Sequence, residues 1–243
     1  MAPTRISTPG NRLLDALPNI DQRRVLAQCD EVELSFSRVL SDPGTTLEHV
    51  YFPLSGFISA IMPIGDTSLE VGLIGSEGMF GMPLALCVKV SPMRAVVQGE
   101  GSALRMRASS FCRELARSGA LRREIDRYVF VRLNQLAQMA GCMRFHVIEA
   151  RLARWLLMTQ DRARAETFHM TQEFLALMLG VRRVGVTKAA RSLQERKLIR
   201  YTRGKLTVLD RHGLKAASCR CYDEDRRSYR RILGYSSVTP VRL

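Results

Sequence analysis

Histidines, aromatic residues and known catalytic motifs are scarce in this 243-residue chain. The aromatic residues make up 7% of it, and its histidines are His49, His146, His169 and His212. Only His49 lies in the front half, so a metal-dependent enzyme built on a histidine cluster is not expected. The sequence also contains no Gly-x-Ser-x-Gly, phosphate-binding loop or dinucleotide fingerprint. We therefore predict that the protein is not an enzyme.

Long apolar runs are also missing. No stretch approaches the roughly 20 apolar residues that a membrane-spanning helix needs. The N-terminal segment MAPTRISTPGNRLLDALPNID has no apolar core of the kind found in secretory signals. We therefore expect a cytoplasmic protein without a membrane partner.

The six cysteines do not follow zinc-finger or ferredoxin spacing; they stand at positions 29, 87, 112, 142, 219 and 221. In a cytoplasmic protein they are expected to be reduced thiols. Cys219 and Cys221 could in principle bind a metal or form a strained disulfide. The sequence offers this pair no evident third and fourth ligand, so no metal site is predicted.

Positive charge is abundant but unevenly distributed. The net charge is +14, and residues 144–243 contain 22 Lys and Arg against 9 Asp and Glu. Residues 1–143 contain 15 against 14 and are nearly neutral. This asymmetry indicates a regulatory front half joined to a back half that binds a polyanion.

The segment 171–191, TQEFLALMLGVRRVGVTKAAR, predicts two short helices joined by a tight turn at Gly180. The second helix has an apolar face that can pack on the first, with Arg and Lys mostly on the other side. This is the pattern of a helix-turn-helix, whose second helix fits the DNA major groove. An ordinary αα-hairpin with a basic surface would fit the same residues.

The segment that follows favours the DNA-binding interpretation. Residues 198–201 and 206–209 each read as a strand, and the turn between them has Gly204 at its tip. A basic β-hairpin after a helix-turn-helix defines a winged helix. We expect double-stranded DNA as the partner, contacted by Thr171, Arg182, Arg183, Val184, Thr187, Lys188, Arg191, Arg203 and Lys205.

The front half is predicted to be rich in β-strands. Short apolar runs at 50–52, 57–62, 69–74 and 94–97 alternate with glycine-containing turns. Strands at this spacing predict a sandwich, barrel or jelly roll. The fold class is therefore α+β, with an N-terminal double-stranded β-helix or jelly roll and a C-terminal winged helix-turn-helix.

A long helix is expected between the two parts. Apolar residues step by 4, 3, 4, 3, 4 and 3 from position 129 to 150. This heptad pattern favours a coiled-coil seam between two copies, although a helix packed on its own domain is the alternative. The predicted seam contains Val129, Leu133, Leu136, Ala140 and Met143, with Val147 and Ala150 continuing its spacing.

This order of parts resembles the Crp/Fnr family of bacterial transcription factors over about residues 10–220, most closely at 145–157 and 170–210. The resemblance implies a sensor domain at 1–118, a dimerisation helix and hinge at 119–145, a winged helix at 146–222 and a C-terminal tail at 223–243. It also implies a homodimer that binds a palindromic promoter site and contacts RNA polymerase. The family's base-reading positions correspond to Arg183, Val184 and Lys188, which predicts a site unlike the best-known family consensus.

The effector is not specified by these residues. Cyclic-nucleotide binders of the family use a Gly-Glu pair and an Arg-Ser/Thr-Ala triplet, but here Met82 replaces the glutamate and no hydroxyl separates Arg94 from Ala95. Cyclic AMP is therefore not expected. An iron–sulfur cluster is not expected either, because Cys29 alone lies near the N-terminus. The residues proposed to line an effector pocket are Met79, Phe80, Gly81, Met82, Arg94 and Ala95.

Two functional hypotheses follow. In the first, a small-molecule or redox signal at the β-rich domain shifts the dimer between states that do and do not bind DNA. In the second, the protein binds DNA constitutively, and the β-rich domain is a scaffold or a protein-interaction module.

Overall fold

Two antiparallel sheets form the front half of the molecule, as the alternating apolar runs predict. The structure is a computed structural model that describes residues 10–163 and 165–235. Helices α1 (Arg12–Asp15) and α2 (Asn19–Leu26) precede the strands β1 (Cys29–Leu34), β2 (Val39–Ser41), β3 (His49–Pro53), β4 (Phe57–Ile64), β5 (Thr67–Ile74), β6 (Arg94–Gly99) and β7 (Gly101–Arg107). A 3-10 helix, Met82–Leu86, lies between β5 and β6. This arrangement confirms the predicted β-roll.

The two sheets have the strand orders β1-β7-β3 and β2-β6-β4-β5. Alternate side chains face the space between them, as period-two strands require. On β6, for example, Ala95 and Val97 are fully buried, and Phe52 and Ile58 contribute from β3 and β4. The four predicted strand runs all fall within β3, β4, β5 and β6.

Helices α3 (Ala108–Arg117) and α4 (Gly119–Phe145) follow the sheets. The Ser118 hydroxyl caps α4 by accepting a hydrogen bond from the Leu121 backbone N–H over 3.1 Å. One face of α4 completes the β-roll core through Ile125, Tyr128 and Val131. In the part of the chain that the structure describes, no helix is both long and apolar enough to cross a membrane.

The assignment of Val129 to the predicted dimer seam is wrong. Val129 is buried within the β-roll core of its own chain, so its side chain is not available to a second copy. The heptad spacing could not reveal this, because a helix packed on its own sheet and a helix packed on a partner bury residues at similar intervals. The remaining seam residues, Leu133, Leu136, Ala140 and Met143, are exposed on α4.

The back half is a winged helix with its own core. It contains α5 (Ile148–Ala163), β8 (Thr167–His169), α6 (Gln172–Leu179), α7 (Arg183–Glu195), β9 (Ile199–Thr202), β10 (Lys205–Val208) and α8 (Arg211–Ala217). Its sheet has the order β8-β10-β9. The sequence analysis missed β8, because three residues are too few to establish an alternating pattern.

The last helix connects the two halves. Helix α9 (Cys221–Leu233) crosses the predicted boundary at 222/223, so the described part of the predicted tail is largely helical; positions 236–243 and 1–9 lie outside the described residues. Tyr222 packs in the winged-helix core, whereas Tyr229 and Leu233 pack in the β-roll core. Between them, the Asp225 carboxylate accepts a 2.6 Å hydrogen bond from Gln135 on α4.

Buried polar contacts also join the winged helix directly to the β-roll. Arg162 on α5 lies 2.7 Å from the Glu77 carboxylate, and the two side chains are 2% and 0% exposed. Trp155 donates a 2.7 Å hydrogen bond from its indole to Glu70 on β5. Burial raises the pKa of the Glu70 carboxyl above its ordinary value, against the opposing hydrogen bonds from Ser59 and Trp155.

We expect Glu77→Gln to destabilise the protein strongly. The change preserves the shape of the side chain but removes the direct ion-pair partner of the buried Arg162 guanidinium, and breaking a buried pair in this way typically costs about 3–5 kcal/mol. Urea unfolding would measure the change in the free energy of unfolding. The control is Glu224→Gln, which removes the exposed ion pair with Arg227 and should cost less than about 1 kcal/mol. Equal effects of the two changes would contradict this account of the contact.

Candidate nucleic-acid interface

The turn between α6 and α7 is set by local backbone chemistry. The Thr171 hydroxyl caps α6 by accepting a 3.1 Å hydrogen bond from the Phe174 N–H. Gly180 ends α6 in the left-handed conformation, with φ of 60°. An L-residue with a side chain is strained there, and a Cβ would also come within 2.8 Å of Leu69. These two features place α7 directly after α6.

Helix α7 is divided into an apolar and a polar face. Val186, Ala189, Ala190 and Leu193 are buried in the core that α7 shares with α5 and α6. The opposite face is exposed and contains the predicted DNA-contacting residues Arg183, Val184, Thr187, Lys188 and Arg191, with exposed Arg182 directly before the helix. Because one face holds the helix in place, the cationic face is free to meet another molecule.

The hairpin formed by β9 and β10 is the predicted wing. Arg203 and Gly204 have φ values of 50° and 76°, as in the tight turns that close two-residue hairpins. Lys205 pairs with Thr202 across the turn, and both Arg203 and Lys205 are exposed. The Tyr201 hydroxyl donates a 2.8 Å hydrogen bond to the Met170 carbonyl, which anchors the wing beside the start of α6.

A surface groove lies between the wing and the helix-turn-helix. It is lined by Thr171, Gln172, Glu173, Arg183, Tyr201 and Arg203. Arg183 lies 2.9 Å from the Glu173 carboxylate across it, and the Thr187 hydroxyl donates a 2.7 Å hydrogen bond to Gln172. Sequence reasoning missed Gln172 and Glu173, which α6 presents to α7. All nine predicted DNA-contacting residues are exposed, and Thr171, Arg183 and Arg203 among them line the groove.

The predicted effector pocket needs correction. Met79, Phe80 and Ala95 are buried in the β-roll core, with Met82 packed against it. Gly81 adopts a φ of 101° at the start of the 3-10 helix, where a Cβ would collide with Val50. Arg94 is exposed, 3.3 Å from Asp42. The sequence analysis interpreted an apolar run as the wall of a pocket, but Met79 and Phe80 fill the core instead.

The structure gives Cys219 and Cys221 the neighbours that the sequence analysis did not find. Cys142, near the end of α4, and His146, just beyond it, lie against the two cysteines at the start of α9. Cys142 and Cys219 are 77 positions apart in sequence. They lie close together because α9 packs against α4, and no local sequence pattern predicts that packing.

Comparison with known proteins agrees with this geometry. Residues 150–217 match the sequence model of the Crp-like helix-turn-helix domain. No curated protein matches the chain.

Solved structures show the same fold over most of the chain. The c-di-GMP-responsive global regulator CLP of Xanthomonas campestris is 17% identical, with a TM-score of 0.64 over 79% of this chain and 99% of its own. FixK2 from Bradyrhizobium japonicum is 15% identical, with a TM-score of 0.66 over 79% and 98%. A CRP/FNR-family transcriptional regulator from Thermus thermophilus is 18% identical, with a TM-score of 0.64 over 78% and 98%. The chain is therefore a helix-turn-helix protein with the fold of the Crp/Fnr transcriptional regulators.

Proposed function

We propose that the protein is a transcriptional regulator and not an enzyme, and that it binds a palindromic promoter site as a homodimer and contacts RNA polymerase. The observation that carries this proposal is the exposed cationic surface formed by α7 and the wing. Arg183, Lys188 and Arg191 lie on the helix, Arg182 directly precedes it, and Arg203 and Lys205 lie on or beside the turn. In the resulting complex, α7 enters the major groove and the wing meets the phosphates.

The individual roles follow from side-chain chemistry. Arg183 presents a planar guanidinium that can donate two hydrogen bonds to guanine O6 and N7. It must then leave Glu173, its ion-pair partner 2.9 Å away. Val184 is exposed on the same face and offers an apolar contact to a thymine methyl group. Arg182, which precedes α7, is better placed for phosphate contact.

The homodimer is supported by the apolar residues left exposed on α4. Leu133 is 57% exposed, and Phe130, Leu136 and Met143 are also exposed. A row of apolar side chains on a long helix is typical of a surface that another chain covers. Two copies joined here would supply the two recognition helices that a palindrome requires.

The buried positions of Met79 and Phe80 favour the second hypothesis, constitutive DNA binding, at the expense of a ligand pocket at these residues. In the first hypothesis, the signal is a small molecule other than cyclic AMP or a redox change, and it does not act through an iron–sulfur cluster. DNA affinity measured with and without cyclic di-GMP, cyclic AMP and a metabolite extract would distinguish the two, because only a modulated regulator responds.

Arg183→Ala is expected to relax specificity at one base pair in each half-site. The lost discrimination should be about 1–3 kcal/mol per position, because a bidentate contact to guanine is removed. Binding to operator variants substituted at each base would measure it. Arg113→Ala, an exposed arginine on α3, is the control. Unchanged specificity in Arg183→Ala would mean that α7 does not read bases through this residue.

Arg203→Ala is expected to weaken binding to all DNA sequences about equally. A phosphate contact carries no sequence information, and its loss should reduce the slope of log K against log salt by about 1. Titrations at several salt concentrations, on specific and unrelated DNA, would measure both effects. A selective loss of specific binding would instead place this side chain against a base.

Leu133→Glu is expected to convert the dimer to monomers, because two carboxylates would face an apolar interface. Light scattering would report the oligomeric state. A parallel DNA titration should show weakened binding to the full palindrome. Asp126→Asn, a change at an exposed residue in the first half of α4, is the control. A Leu133→Glu variant that remains dimeric would show that the copies associate through another surface.

A further inference from the structure

Four potential metal ligands converge where α4 ends and α9 begins. They are the Sγ atoms of Cys142, Cys219 and Cys221 and a ring nitrogen of His146, and they all lie within 4.8 Å of one another. Two of them come from the end of α4 and the residue beyond it, and two flank the start of α9. Thiolates and imidazole together are the ligand set that structural zinc sites use.

Two of the ligand–ligand distances match those around a single tetrahedral ion. Zn–S bonds of about 2.3 Å and Zn–N bonds of about 2.1 Å place two sulfurs about 3.8 Å apart and a sulfur about 3.6 Å from a nitrogen. The Sγ atoms of Cys142 and Cys219 are 3.6 Å apart, and Cys221 Sγ is 3.5 Å from His146 Nδ1. A disulfide would instead need an S–S distance of about 2.0 Å.

The surroundings favour a bound ion over inert thiols. The three cysteines are buried, but they belong to neither large core and form a small cluster with Ala150. Their sulfurs therefore face one another and not an apolar interior. The Arg154 guanidinium lies 3.8 Å from Cys142 Sγ. Three thiolates and one Zn²⁺ carry a net negative charge, which this cation would offset.

The backbone holds the ligand pairs in place. The His146 N–H donates to the Cys142 carbonyl over 3.1 Å, so this pair sits on the last turn of α4. The Tyr222 N–H donates to the Cys219 carbonyl over 3.1 Å at the start of α9. The Cys219 N–H also reaches the Ala150 carbonyl on α5 over 3.4 Å. The positions of all four ligands are thus set by helix ends and not by mobile loops.

We propose that Cys142, His146, Cys219 and Cys221 bind one Zn²⁺ in a closed, structural Cys3His site. The ligands occupy all four positions of a tetrahedral ion, so none is left for a substrate. Residues 147–218, which include the helix-turn-helix and the wing, lie between the two ligand pairs. The ion therefore joins both ends of the DNA-binding unit to the end of α4 and fixes its orientation on that helix.

The metal content of the tag-free, full-length protein tests the site directly. Protein purified under reducing conditions from zinc-supplemented medium is expected to contain about one zinc per chain. Cys219→Ser and Cys142→Ser should lose it. Cys87→Ser and Cys112→Ser, which change exposed cysteines elsewhere, should keep it. Zinc retained in both ligand variants, or absent from the wild type after reconstitution, would overturn the proposal. The measurement needs no DNA, so it is independent of the proposed function.

If the ligand variants fail to fold, cobalt substitution of the wild-type chain provides a second test of the site. Co²⁺ is expected to produce tetrahedral d–d bands and thiolate-to-cobalt charge transfer, both abolished by added Zn²⁺. An octahedral spectrum without charge transfer would refute a cysteine site. So would a Cys142–Cys219 disulfide that persists after mild reduction, detected by mass spectrometry.

Chelation provides a stability readout. A strong chelator should lower the Tm of the wild type and of Cys112→Ser, because the ion links α4 to α9 only in the folded state. The Tm of Cys219→Ser should not respond to the chelator. A wild-type Tm that is unchanged after complete metal removal would contradict a structural role for the ion.

Discussion

The proposed activity depends on the burial of one face of α7. Val186, Ala189, Ala190 and Leu193 pack in the core that this helix shares with α5 and α6. A helix held by one apolar face must leave its other face to solvent. On α7, that other face contains the arginines and the lysine that can meet DNA. The tight turn at Gly180 and the hydrogen bond that anchors the wing then place the two cationic elements side by side.

The DNA-binding unit is also held firmly against the rest of the molecule. The buried contact between Arg162 and Glu77 and the hydrogen bond from Trp155 to Glu70 cross the boundary between the two halves. Helix α9 places aromatic residues in both cores. A regulatory signal that reorients the recognition helices would have to break or rearrange such contacts. A closed metal site would restrict the same movement, since it would join the end of α4 to the start of α9.

Patterns within a few turns of sequence predicted the local elements well. The helix-turn-helix, the wing and the four main strand runs were all recognisable, because each element shows its period or its turn residues in a short window. Short or isolated elements were not recognisable. Strand β8 has three residues, and α9 lies in a charged segment whose buried residues, such as Tyr229, show their role only against another helix.

The sequence by itself determined where the cationic helix and wing lie and which side chains they expose. Tertiary structure decided which residues meet across long separations. It buried Val129 in its own chain, filled the expected effector pocket with Met79 and Phe80, and brought Cys142 and His146 to Cys219 and Cys221. The physical reason is that helix and strand patterns come from neighbouring residues. Burial and ligand geometry, by contrast, depend on how distant segments pack.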